Sequence, residues 1–141
     1  MNPSPIQTEF FAHLAVPFTG EELFDSLTDL VYFLKDARCR YLVVNQALVE
    51  RCGFRDKREL IGRRADEVYP APLGRSYGEQ DESIIRTGQP ILNHLELQIY
   101  PGGVRGWCVT SKVPLRNKTG ETIGLAGISK DLNATAEAGE D

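Results

Sequence analysis

A chain of 141 residues, 41% hydrophobic and 26% charged, has the size and make-up of one soluble globular domain with a single core. Its formal net charge is −4, and the arginines and lysines are scattered among acids, so no phosphate-binding basic face and no direct nucleic-acid contact are expected. The three cysteines, Cys39, Cys52 and Cys108, are odd in number and form no CxxC pair, which speaks against both a disulfide framework and a zinc cluster and suits a reducing compartment.

The opening MNPSPIQTEF lacks the basic start and apolar run of a signal peptide. The longest apolar runs, around Leu30–Leu34 and Tyr41–Val44, are strand-sized and too short to cross a bilayer. A cytoplasmic protein is expected.

In chain order, Ile6, Phe10, Phe11 and Leu14 mark a helix over 6–16, which Pro17 closes. Thr19-Gly-Glu-Glu22 has capping-box spacing and predicts a short helix, Glu21–Leu27. Leu30–Leu34 and Tyr41–Val44 are apolar strands around a polar turn and should form a hairpin. Asn45 is placed to cap a helix over Gln46–Cys52, with Gly53 to stop it. Asp56-Lys-Arg-Glu59 predicts another short helix ended by Gly62, and Ala65–Tyr69 allows one helical turn before Pro70. The longest helix is expected from Pro72 to Thr87, terminated by Gly88 and Pro90. Three strands follow: Ile91–Tyr100, Arg105–Leu115 and Thr122–Leu132, with turns at Pro101–Gly103 and Asn117–Gly120.

Every strand connection is a hairpin or the helical excursion, so the class is α+β: one five-stranded antiparallel sheet with short helices on one face and an N-terminal helix. The organisation expected is an N-terminal helical extension over 1–18, one domain over 19–133 and a small, acidic linker stub over 134–141.

From Glu22 to Asn133 this order resembles the PAS fold. The resemblance is carried by Lys35-Asp-Ala-Arg-Cys-Arg-Tyr-Leu-Val-Val-Asn45, by Glu59-Leu-Ile-Gly62, and by the stretch from Asn117-Lys-Thr-Gly120 to Ser129-Lys-Asp-Leu-Asn133. Cys39 stands where the family's hairpin turn usually has Gly, at a cost of about 1 kcal/mol if φ is positive there. Asp131-Leu132-Asn133 replaces the family's common Asp-Ile-Thr and keeps its acid. Trp107–Leu115 is most similar to PAS domains fused to bacterial AraC-type transcription regulators.

The resemblance implies a sensory and dimerising module, not an enzyme, that signals to an output domain outside these residues. A photochemical flavin site would need a cysteine in the region Gly62–Tyr69, which has none, and the family's haem route would need a histidine in 72–87, also lacking. No cofactor or metal is expected, and an unknown small molecule is the candidate ligand. With apolar residues pointing inward, the pocket should be lined by Phe33, Tyr69, Tyr77, Leu95, Leu97, Trp107, Val109 and Ser111. The opposite phase, with His94, Glu96, Thr110 and Lys112, is read as a solvated or dimer-facing surface, with a ligand or output patch as the alternative. Lys112 and Asp131 are the signal-coupling candidates, and Phe10, Phe11 and Leu14 should form a homodimer contact. Cys39, beside Arg38 and Arg40, is the one thiol in an activating setting. Two rival functions are a ligand-free dimerisation module and a small pocket enzyme of the ketosteroid-isomerase type, which the strand-first order disfavours.

Overall fold

The computed structural model describes residues 3–99 and 102–132. The expected linker, 134–141, lies outside the described residues, as do Asn133 of the terminal motif, Tyr100 and Pro101.

Helix α1 (Pro5–Ala12) is shorter than the predicted 6–16 and buries none of its residues. His13 caps it, so Leu14 falls beyond its end. Helix α2 (Glu21–Phe24) starts from Gly20, whose φ of 80° needs a residue without Cβ. Thr19 sits one position too early for the expected capping box, and its Oγ1 accepts from Glu21 N at 3.4 Å instead.

Strands β1 (Leu30–Asp36) and β2 (Tyr41–Val44) form the predicted hairpin. Cys39 in its turn has φ 63°, the strained conformation expected where the family carries Gly. Asn45 caps α3 (Gln46–Arg51) by accepting from Leu48 N at 3.3 Å. Its remaining hydrogen-bonding capacity fixes the hairpin: Oδ1 accepts from Tyr32 N at 3.0 Å, and Nδ2 donates to Phe24 O at 3.0 Å and Leu30 O at 2.8 Å. Asp56 caps a single 3-10 turn, Lys57–Glu59, through a 2.8 Å bond from Arg58 N. Helices α4 (Ala65–Val68) and α5 (Leu73–Thr87) follow, and Gly88 at φ 69° ends α5 as predicted.

Strands β3 (Ile91–Ile99), β4 (Arg105–Arg116) and β5 (Thr122–Asp131) form a meander. The sheet order is β2-β1-β5-β4-β3, antiparallel throughout. The helical excursion carries the chain from the β2 edge to the opposite edge, so the meander ends by laying β5 against β1. Val31 and Phe33 of β1, Tyr41 and Val44 of β2, Leu48 and Val49 of α3, Leu60, Ile84 of α5 and Leu125 of β5 pack into one apolar core. Among the described residues no helix is long and apolar enough to cross a membrane.

Candidate ligand cavity

On α5 the buried residues are Gly74, Tyr77, Asp81 and Ile84, steps of three and four that place an aspartate in the middle of the inward stripe. On β1 the two-residue repeat sends Val31, Phe33 and Lys35 inward together. On β4 the inward phase is Cys108, Thr110 and Lys112. These elements meet at three ionisable side chains: Lys35 is 2% exposed, Asp81 0% and Lys112 3%.

Asp81 bridges the two lysines. Lys35 Nζ donates to Oδ2, and Lys112 Nζ donates to Oδ1 at 2.9 Å. Lys112 Nζ also donates to Gln80 Oε1 at 3.0 Å, and Gln80 Nε2 to Glu96 Oε2 at 2.9 Å. Thr110 Oγ1 donates to the other Glu96 oxygen at 2.6 Å and lies 2.9 Å from Ser129 Oγ. A polar chain therefore runs from β1 through α5 to β3, β4 and β5. Burial pulls the Lys35 ammonium below its ordinary range; Asp81 works against that pull, and Lys112 adds to it.

Beside this chain lies a cavity walled by Phe33, Tyr41, Tyr69, Tyr77, Glu96, Gln98, Thr110 and Ser129, with both lysines on its surface. The space in which a water centre fits is about 30 Å³, enough for roughly two waters. Tyr69 and Tyr77 meet edge to face at 5.0 Å, and Tyr77 Oη donates to Leu97 O at 3.0 Å, tying α5 to β3. Gln98 Oε1 is buried and has no hydrogen-bond donor among the described residues.

Three of the eight expected pocket residues line this cavity: Phe33, Tyr69 and Tyr77. Leu95, Leu97, Trp107, Val109 and Ser111 do not, because β3 and β4 present the opposite phase to the helices. Leu95 is 55% and Trp107 51% exposed, on the outer face. The phase read as a solvated surface instead supplies Glu96, Gln98, Thr110 and Lys112 to the cavity, while His94 stays exposed. The reason is energetic: Asp81 on α5 needs cationic partners, and only this phase supplies Lys112. An acid four residues after Tyr77 and three before Ile84 was the signal in the sequence, as was Lys35 two residues after Phe33.

Cys39 is the other correction. Its turn folds the thiol inward to 3% exposure, and burial, then Asp81, raise its pKa, so Arg38 and Arg40 do not activate it. Asp131 closes β5 opposite Cys108, and its N–H donates to Asp29 O at 2.7 Å. Phe10 and Phe11 are exposed on α1. Among the described residues no group of three or more His, Cys, Asp or Glu could hold a metal ion.

Residues 24–137 match the family model described as PAS fold. The chain is 27% identical over 123 residues to the methanogenesis regulatory histidine kinase FilI of Methanothrix harundinacea (strain 6Ac), spanning 85% of this chain and only 14% of that protein. A structure described as VqmA bound to DPO has a TM-score of 0.67 at 27% identity, over 78% of this chain and 54% of that one. The Vibrio cholerae VqmA dimer without target DNA, described as a LuxR-type receptor, gives 0.68 at 26% identity over 85% and 54%. The PAS domain of Bordetella pertussis BvgS shares the fold, with a TM-score of 0.62 at 20% identity over 96% and 98%.

Proposed function

We propose that this chain, which belongs to the PAS fold family, is a cytoplasmic sensory module in which a small molecule in the cavity alters the fit of α5 on the sheet and signals to an output domain beyond these residues. The observation that carries this reading is the inward-facing polar phase of β3 and β4. Burying two lysines and an aspartate costs several kcal/mol of desolvation that apolar side chains would not. A module needing only a stable core gains nothing from that arrangement, whereas a ligand site gains recognition groups.

Support also comes from the relatives. FilI is a regulatory kinase, and VqmA is described bound both to DPO and, with a ligand, to DNA. The output domain here is accordingly taken to be a transcription regulator or a kinase, with this chain doing no catalysis itself and touching neither nucleic acid nor membrane. The route to it runs from Lys112 along β4 and from the cavity wall along β5 to Asp131.

The outward face supports homodimerisation. Leu95, Leu97, Trp107, Val109, Val113 and Ile128 share the outer phase by strand register, and an apolar area of this kind is covered in most proteins. A second copy, with Phe10 and Phe11 of its α1, is the proposed cover. VqmA is described as a dimer.

One observation favours the rival reading of a ligand-free dimerisation module: the cavity volume of about 30 Å³. Native mass spectrometry of freshly purified protein, compared with denatured protein, separates the two. The sensor reading expects a dimer carrying a small molecule, or one that acquires mass on incubation with a metabolite extract. A dimer that never acquires mass leaves dimerisation alone.

A further inference from the structure

We propose that the cavity ligand is a small carboxylate, held between the ammonium groups of Lys35 and Lys112; this rests on reading the cavity as a ligand site. Lys35 and Lys112 share one carboxylate, that of Asp81, all three at 3% exposure or less, while the Glu96 carboxylate on the cavity wall touches neither amine.

Counting donors points the same way. Two ammonium groups have six N–H bonds. Their hydrogen-bond acceptors among the described residues are both oxygens of Asp81 and Oε1 of Gln80. Three N–H bonds therefore find only ring faces: Lys35 Nζ lies 4.3 Å from the Tyr41 centroid and 5.0 Å from that of Phe33, and Lys112 Nζ lies 5.8 Å from Phe33 and Tyr77.

Geometry selects a carboxylate among anions. The two Nζ atoms are already spaced so that the two oxygens of one carboxylate reach both, as Asp81 does. Both lysines line the cavity and Asp81 does not, so a second carboxylate repeats the bridge from the cavity side. The tyrosine and phenylalanine rings then meet the ligand's carbon body. Gln98 Oε1, buried and without a donor, is matched by a hydroxyl on the ligand. Room for about two waters limits the ligand to a compact acid unless the walls move.

Among the described residues Glu96 is the one other ionisable acid or base, apart from the tyrosines, on the cavity wall. Its oxygens are occupied by Thr110 and Gln80, so it does not contact either lysine, but its field opposes an incoming anion. That makes it the sharpest test.

Calorimetric titration at low ionic strength of the full chain with acetate, propionate and lactate is compared with acetamide, propionamide, lactamide and chloride. The carboxylates should bind at least about tenfold more tightly than their amides and than chloride, with lactate ahead of propionate through Gln98. Lys112→Met should weaken lactate about tenfold or more, and Glu96→Gln, which keeps both hydrogen-bond networks in reach, should tighten it several-fold. Amides or chloride binding as well as carboxylates, or a Glu96→Gln protein with unchanged lactate affinity, would overturn the proposal. If neutral metabolites bind and acids do not, the carboxylate assignment falls and the sensor reading stands. If nothing binds, and native mass spectra show no added mass, both fall.

Discussion

The ring of Phe33 occupies the place of a side chain at Gly127. The two residues pair across β1 and β5, and a Cβ added at 127 would sit 2.4 Å from Phe33 Cζ and 2.6 Å from Cε2. The missing side chain lets the ring lie on the sheet and so form a wall of the cavity. Gly127→Ala therefore forces Phe33 off its rotamer and toward the cavity, and should cost about 1–3 kcal/mol. Urea denaturation measures this, and an unchanged midpoint would show that the ring moves freely.

The lysine–aspartate bridge yields a larger effect. Asp81→Asn leaves two ammonium groups sharing a buried site with no negative partner, and should destabilise the fold by about 3–5 kcal/mol at neutral pH. The loss should shrink when Lys112→Met is added, since one unpaired charge then disappears. A double variant no more stable than the single one would mean that the bridge adds little to folding.

Alkaline pH should unfold this protein. Burial pushes the Cys52 thiol from 9.0 up to about 11, and pushes the Tyr41 hydroxyl well above its usual 10.0. Each group holds its proton more tightly folded than unfolded. The stability it contributes is complete below the unfolded pKa and is lost as pH rises through the folded one. Cys52 alone accounts for roughly 2–3 kcal/mol between pH 9 and 11. Lys35 acts in the opposite sense: its lowered pKa makes burial costly at neutral pH, and that cost is relieved as pH rises toward 10.5. Denaturation midpoints measured from pH 7 to 11 should fall, and Cys52→Ala should flatten the fall. A midpoint rising across this range would mean that Lys35 outweighs the thiol and the tyrosine.

Trp107 decides between core and interface. Half exposed on the outer face, it should cost about 1 kcal/mol on replacement by Ala in the isolated chain, rather than the 3–5 kcal/mol of a core tryptophan. If the outer face is the dimer contact, Trp107→Glu gives a monomer by light scattering with its fold intact. Removing residues 1–18, of which α1 buries nothing in its own domain, should do the same. A dimer that survives both changes would place the contact elsewhere.

Local chemistry fixed most of what was legible. Strand and helix order, the Asn45 cap, the Gly88 stop and the strained Cys39 turn all follow from residues acting on their near neighbours, and the sequence shows those directly. Alternation also marked the two faces of β3 and β4. It did not say which face the helices cover, because both assignments satisfy the same period of two. The usual preference for apolar residues inside chose Trp107 and Leu95. What reversed it lies far away in the chain: Asp81 on α5 must find cations, and Lys35 and Lys112 reach it only when their strands turn the polar phase inward. A buried charge worth several kcal/mol outweighs the apolar preference of a strand whose other face can be covered by a second molecule. That choice belongs to the packing of α5 on the sheet, and only the tertiary structure could make it.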